Sequence, residues 1–399
     1  MNMDTKEIKI LEVVDNYFPI IDGVVNVTDN YCRLLNKTEG AICDALVPWY
    51  PKSYDGGGYK VIRTLSVSGG KYGVRLPLPM LDLRLKKYLK KNHYDIVHCH
   101  SPVTLARTML KYCKKNNIPI VFTVHTKYHE EINRSVKIKF LQKFALNFIL
   151  RPIRKMDYIW AVSKGSAECL KNVYHIDLPT EIVKNGTDLH SVAKADAAAL
   201  SKEIKDKYNI RQDEKVFLFV GRLVVVKNIS LVLKTVELLK KRGMSLRLLI
   251  VGDGDYRETL ERETKTLSID DITIFTGEIT DRSKLSGYYL AADYFLFPSE
   301  FDTFSLSSKE AAVMNTPSLL VKDSFSSEGI TDMVNGFTEI PDPEAWADKI
   351  EYIEKNPDVY AKVSENCPAI CSSWEEVIDI VFQKYKDIIE KGKPKNMRH

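Results

Sequence analysis

The 399-residue chain contains no C-x-x-C pair among its 7 cysteines and no zinc-finger spacing, so neither a redox dithiol nor a structural zinc site is expected. No apolar run approaches the ~18–20 residues that a bilayer-spanning helix needs. The charged start, Met1 to Lys9, lacks the apolar core of a secretion signal. An odd cysteine count without such a signal points to reduced thiols in the cytosol. Short-period repeats and low-complexity tracts are also missing. What remains is 44% hydrophobic and 28% charged, the composition of a globular protein long enough for two domains.

The net charge of +5 hides an asymmetry, with residues 1–188 at +11 and the remainder at −6. A basic first half suits an anionic partner such as a phosphorylated acceptor, a lipid surface or a nucleic acid.

Apolar runs alternate with amphipathic stretches through the first half, at Ile8–Val14, Asp95–Cys99, Ile118–Val124 and Tyr158–Val162. That alternation predicts a parallel sheet with helices on both faces. Turn chemistry at Lys184-Asn185-Gly186-Thr187-Asp188 marks a break. A second series follows, with strands at Val216–Val220, Leu246–Val251, Ile272–Phe275, Tyr294–Phe297 and Ser318–Val321 and a helix over Ser230–Lys241. Two doubly wound units are expected, over 1–188 and 189–370. The segment 371–399, helical by periodicity over Trp374–Ile389, is expected to cross back to the first.

Ligands of open parallel sheets bind beyond the carboxyl ends of the strands. Gly23 sits there, before a helical pattern over Val24–Leu35, where a plain turn glycine is an equal reading. Gly221-Arg222-Leu223, with Lys227 close behind, follows the strand Val216–Val220. An arginine fork and a compact lysine charge on one loop can hold a diphosphate; otherwise they are two solvated cations. The run from Phe297 to Ala312 leaves a strand, enters a helix and carries Asp302 and Glu310, acids able to hold sugar and ribose hydroxyls.

At this point the sequence resembles glycosyltransferase family 4, retaining enzymes of the GT-B fold, in which two Rossmann-like domains face a deep cleft. Other family signatures fall in order at Phe18-Pro19 with Asp22-Gly23-Val24, Val97-His98-Cys99-His100-Ser101-Pro102, Val124-His125-Thr126, Ala161-Val162-Ser163, Asn185-Gly186-Thr187-Asp188, Gly221-Arg222-Leu223 with Lys227-Asn228, and Val251-Gly252-Asp253-Gly254. The resemblance implies a role for each matched residue. Gly23 would offer its backbone N–H to the diphosphate, and His125 would face the donor sugar. Arg222 and Lys227 would stabilise charge on the leaving diphosphate, after Gly221 in the donor loop. Asp302 would bind sugar hydroxyls, backbone N–H groups around Phe304, Ser305 and Leu306 would meet sugar and phosphate, and Glu310 would grip the ribose. The chain departs from the pattern at three positions: Asp302 stands for the usual Glu, Val226 for a frequent Glu, and Ser305 for a common Gly.

Asp253-Gly254-Asp255 has the look of a metal-binding D-x-D, yet it reads as a glycine turn after a strand. His125, His129 and Glu130 lack the Glu directly after the first His that a zinc helix needs. No metal or other cofactor is expected. His98 and His100 share one strand face, which suggests core or cleft packing.

Arg134–Lys155 holds seven basic residues and no acid, interleaved with Phe140, Phe144 and Phe148. Two readings stay open for it: a helix lying on anionic lipid, or a core-packed helix with a solvated basic face. No array of stacking aromatics accompanies the charge, so nucleic acid is not an expected partner.

The resemblance implies front-face transfer of a hexose from a nucleotide sugar, UDP-glucose or a related UDP-hexose, to a membrane lipid or a lipid-linked or polysaccharide acceptor. Asp15–Pro19 and His125-Thr126-x-Tyr128 are similar to bacterial diacylglycerol glucosyltransferases within the family. The expected location is cytoplasmic, peripheral at the inner face of the membrane. A nucleotide-sugar 2-epimerase and a non-catalytic nucleotide-sugar-binding module are the competing readings.

Overall fold

The computed structural model describes residues 7–20, 22–51, 53, 57–69, 74–187, 189, 197–300, 302 and 305–394. The chain forms two compact units, Met1–Asn185 with Trp374–His399, and Gly186–Ser373. The first break lies inside the expected turn but ahead of the 188/189 boundary, and the second comes after 370/371. Backbone pairing explains both shifts, because Thr187 bonds to Ser372 and bridges to Ser373. That pairing keeps 187 and 371–373 together in the second unit.

The first unit runs β1 (Ile8–Val13), α1 (Gly23–Leu35), β2 (Ala41–Pro48), β3 (Lys60–Thr64), β4 (Ser66–Ser68), β5 (Arg75–Pro77), α2 (Leu83–Lys91), β6 (Ile96–Cys99), α3 (Thr104–Asn116), β7 (Ile120–Val124), α4 (Tyr128–Ser135), α5 (Lys139–Ile153), β8 (Tyr158–Ala161), α6 (Lys164–Glu168) and β9 (Thr180–Ile182). Seven strands pair in the order β3-β2-β1-β6-β7-β8-β9, all parallel, and β4 with β5 forms a separate antiparallel hairpin. β1, β6, β7 and β8 are largely apolar because core clusters cover both faces of the sheet. β2 was not expected, since Asp44 interrupts its apolar run. That carboxylate is buried where Tyr94 and Tyr88 hydroxyls donate to it at 2.6 and 3.2 Å, which satisfies the charge inside the sheet.

The second unit continues with α7 (Ala197–Lys207), β10 (Lys215–Val220), α8 (Ile229–Lys241), β11 (Leu246–Val251), α9 (Arg257–Thr266), β12 (Thr273–Gly277), α10 (Arg282–Ala291), β13 (Tyr294–Phe297), α11 (Leu306–Val313), β14 (Ser318–Val321), β15 (Phe337–Glu339), α12 (Pro343–Lys355) and α13 (Pro357–Asn366). Its six strands are parallel in the order β12-β11-β10-β13-β14-β15. Stacked rings of Phe219, Phe297 and Phe295 pack on the sheet. Both units are thus Rossmann-like.

The last helix, α14 (Trp374–Lys391), belongs to the first unit. It buries Trp374, Val377, Ile378, Val381, Phe382 and Tyr385 in the core shared with α1 and β2. Tyr385 stacks on Trp160 of β8, with centroids 5.5 Å apart.

Candidate active site

In the second unit, β10 ends at Val220 and the loop that follows from Gly221 is held by a second loop leaving β11. Gly221 and Leu223 N–H groups donate to the Val251 and Asp253 carbonyls at 3.0 and 2.9 Å, and Tyr256 N–H returns to Leu223 at 3.0 Å. The two backbones approach so closely that a Cβ on Gly252 would lie 2.0 Å from Gly221 O, and one on Gly254 2.3 Å from Leu223 O. Only glycine fits at those two positions. Asp253 is spent on this turn, accepting from Gly254 N–H at 2.7 Å and pairing with Arg257 at 3.2 Å. The glycine turn of the D-x-D run thus clamps the loop after β10.

Lys227 closes a short 3-10 turn ahead of α8, and its ammonium lies 2.6 Å from Asp302 Oδ1 and 5.1 Å from the Phe297 ring centroid. The two partners lie at the carboxyl ends of β10 and β13 and are half-buried. Arg222 is exposed and, among the described residues, has no ion-pair partner. The structure thus joins Lys227 to Asp302, while Arg222 stays on the loop without contact to either acid.

Glu310, on α11, is buried and held from α10. Arg282 Nη2 donates to one carboxylate oxygen at 2.6 Å and Tyr289 OH to the other at 2.8 Å. Burial, followed by the charge of Glu310, pushes the Tyr289 hydroxyl well above its ordinary pKa, so it remains a donor. Neither partner was expected from the sequence. Arg282 had no flanking motif to single it out, and Tyr289 lies inside an apolar stretch.

Ser305 is the N-cap of α11, and its hydroxyl accepts from Ser308 N–H at 3.3 Å. Its φ of 48° is left-handed, the conformation in which glycine is at ease, here taken by a serine. Leu306 is the first residue of α11, whose N-terminal N–H groups form a ready anion site. Phe304 lies outside the described residues.

In the first unit, Gly23 opens α1, an exposed position directly after the cap Asp22, whose carboxylate accepts from Val24 and Val25 N–H. His125 follows β7 and is half-buried. Burial first, then the neighbouring imidazoles His100 and His98, push it well below the ordinary histidine pKa, so it is neutral. Its Nε2 lies 2.9 Å from His100 Nδ1, and His100 Nε2 lies 2.7 Å from Glu12 Oε2. Glu12, His98 and His100 are completely buried, as expected for the two histidines, although around a charge. Tyr385 OH donates to Glu12 Oε1 at 2.8 Å, and His98 bridges Tyr385 at 2.5 Å and Thr123 at 2.7 Å. Burial alone would raise the Glu12 carboxyl, but the imidazoles His98 and His100 reverse it to about 2. Three of these groups offer ligand atoms within 4.8 Å of one another. Each of those atoms is already engaged in a hydrogen bond within the cluster. Glu12 escaped sequence reading, although a lone carboxylate inside Ile8–Val14 was the available signal.

On α5, Phe140, Phe144 and Phe148 are 76%, 67% and 42% exposed, beside exposed Ile138 and Leu141, while Leu150 and Ile153 anchor the helix in the core. Lys139, Lys143 and Arg151 flank this strip, and the Arg107 guanidinium lies 3.6 Å over the Phe148 ring. The helix is thus packed on the core through its C-terminal end, with an apolar strip exposed over the rest. Among the described residues, no helix is long and apolar enough to cross a membrane.

Comparisons with known proteins agree with the two-unit architecture. The Glycosyltransferase Family 4 model matches residues 21–191, and the model for Glycosyl transferases group 1 matches 201–369. Alpha-monoglucosyldiacylglycerol synthase of Streptococcus pneumoniae is 24% identical over 86% of this chain and 78% of its own length. The synthase of the same name from Acholeplasma laidlawii is 26% identical over 79% and 81%. Among solved structures, Anabaena HepE in complex with UDP and glucose superposes with a TM-score of 0.73 at 15% identity, covering 95% of this chain and all of that one. Sucrose-phosphate synthase of Thermosynechococcus elongatus gives 0.75 at 18% identity over 96% of this chain.

Proposed function

Because the chain belongs to the two-domain glycosyltransferases, we propose that it is a retaining hexosyltransferase using a UDP-hexose, UDP-glucose first, and a membrane lipid acceptor. The observation that carries this reading is the Lys227–Asp302 pair at the mouth of the second sheet. A cation held beside an acid can meet the β-phosphate while the acid takes a sugar hydroxyl. In this reading Arg222, exposed on the same loop, completes the charge on the departing diphosphate. The N-terminus of α11 at Ser305 and Leu306 receives phosphate or sugar oxygens, and Glu310 grips the ribose. Gly23 and His125 take the roles implied by the family resemblance, at the diphosphate and the sugar. Protein charge stabilises the leaving group without a resident metal, and catalysis is positioning plus electrostatics.

The lipid acceptor is favoured by α5. Its exposed phenylalanines and flanking cations have the chemistry of a helix resting on an anionic membrane surface, which supports a peripheral enzyme at the cytoplasmic face. Diacylglycerol is the first acceptor to test, since two relatives are named as synthases of monoglucosyldiacylglycerol.

The test is incubation with labelled UDP-glucose and diacylglycerol in anionic vesicles, with and without chelator. Labelled glycolipid of retained anomeric configuration, formed equally in chelator, is the expected product. UDP binding by calorimetry with no transfer across donors and acceptors would identify a binding module instead. Co-sedimentation with vesicles should weaken with added salt. Transfer to soluble glycans with no vesicle binding would overturn the lipid reading.

A further inference from the structure

We infer that the β4–β5 hairpin and the turn entering α2 form a second contact of the first unit with an anionic bilayer surface, besides α5. The inference rests on the lipid reading of the proposed function, and its measurements need neither donor nor turnover.

A surface hairpin ordinarily turns its apolar residues inward and its polar ones outward. This one is reversed. Val67 and Leu76 stand directly opposite each other, and with Leu65 and Val74 on the same face they are exposed. Ser66 and Arg75 lie on the other face and are engaged within the unit. Ser66 Oγ donates to the Trp49 carbonyl, and Arg75 Nε and Nη2 donate to Ser66 Oγ and O at 2.9 and 2.7 Å. The Arg75 guanidinium also lies 5.0 Å from the Trp49 ring centroid. The side left to the surroundings is the apolar one.

Exposed apolar residues continue past β5 with Met80, Leu81 and Leu83, of which Leu81 is 68% and Leu83 74% exposed. The buried Asp82 carboxylate between them accepts from Leu65 N–H at 2.8 Å and from Arg84 and Leu85 N–H at 3.0 and 3.1 Å. One acid therefore ties the base of the hairpin to the start of α2. That helix carries five exposed cations, Arg84, Lys86, Lys87, Lys90 and Lys91, and no acid.

Charge and position name the occupant. Apolar side chains rimmed by cations fit an anionic headgroup layer with acyl chains beneath it. A second copy of the chain would set like charges against each other at the same contact. The hairpin also shares a support with α5. Thr104, at the start of α3, has its Oγ1 2.9 Å from the Pro77 carbonyl oxygen, while Arg107 donates to the Phe148 carbonyl and lies 3.6 Å over its ring. The first turn of α3 thus touches both exposed apolar surfaces. Thr104 Oγ1 is also 3.1 Å from Asp15 Oδ1, just beyond β1, so the hairpin stands beside the carboxyl end of the first sheet. Ligands of such sheets bind at that end, and an acceptor in the bound leaflet is kept close to it.

Trp49, 47% exposed, reports on this face, since the other three tryptophans, Trp160, Trp346 and Trp374, are buried. On vesicles of phosphatidylglycerol with brominated phosphatidylcholine, tryptophan emission should shift to the blue and be quenched relative to bromine-free vesicles. Leu81→Ser with Leu83→Ser should lower partitioning onto phosphatidylglycerol vesicles at least roughly tenfold. Lys86→Gln with Lys87→Gln and Lys90→Gln should lower it roughly 100-fold at low salt. All five side chains are exposed, so both variants should melt as the natural protein does. Unquenched emission from vesicle-bound natural protein would overturn the inference. So would binding kept by both variants but lost in Phe140→Ser with Phe144→Ser, a result that leaves the lipid reading standing. No vesicle binding by the natural protein would sink the lipid reading and the hairpin contact together. A concentration-dependent dimer broken by Leu81→Ser with Leu83→Ser, with vesicle binding unchanged, would assign the face to a second copy instead.

Discussion

Lys227 Nζ lies 2.6 Å from Asp302 Oδ1, joining the loop after β10 to the loop after β13 across 75 residues of sequence. The pair is only partly shielded, so its worth lies in placement more than in stability. Lys227→Ala should lower kcat by roughly 10²–10³-fold, as loss of a preorganised charge at a leaving group does. Melting should be almost unchanged. Normal turnover would remove this lysine from the mechanism.

Glu310 tests binding apart from chemistry. Its carboxylate is held by two donors, Arg282 and Tyr289. Glu310→Gln should raise donor KM about tenfold with little change in kcat, the signature of lost uniform binding. An equal fall in kcat at saturating donor would show that the residue acts on the transition state instead.

Ser305 holds a left-handed φ of 48° in exchange for a capping hydroxyl. Ser305→Gly removes a conformational cost of about 1–2 kcal/mol and loses only a few tenths from the cap. The variant should gain about 1 kcal/mol in denaturant unfolding. A loss of stability would mean that the cap outweighs the strain.

Four groups shape the response to acid. His98 is lowered from 6.5 to about 4 by burial and then by His100, so the unfolded chain takes a proton first and stability falls across that window. Its share is about 3 kcal/mol, and His125 works in the same direction. Asp15, raised from 3.8 to about 6 by burial against its bonds to Val103, Thr104 and Leu105, does the reverse and recovers stability as pH falls from 6 to 3.8. Glu12, lowered to about 2, keeps its contribution until pH drops below 4.5. Asp15→Asn should therefore steepen the loss between pH 6.5 and 4 by about 3 kcal/mol, measured as unfolding free energy at each pH. An unchanged slope would contradict the raised Asp15 carboxyl.

Most strands were legible because apolar runs in a parallel sheet are continuous and turns are punctuated. β2 was hidden by Asp44, and β9 and β15 are too short to carry a period. Arg222, Lys227 and Asp302 were legible one by one because each follows a strand end, and Glu310 by its place on the helix beyond. Arg282 and Glu12 were not, since nothing local sets Arg282 apart and Glu12 lies within an apolar strand.

Residue type and order alone determined the alternation of strand and helix, the doubling of the fold and the positions of Lys227, Asp302, Ser305 and Glu310. Only the tertiary structure decided their partners. It placed Lys227 on Asp302, Arg282 and Tyr289 on Glu310, and Tyr385 on Glu12 across 373 residues. A local pattern reports which face of an element is buried. It holds no record of which distant polar group will meet a buried charge, since that is set by strand order and by where the last helix packs.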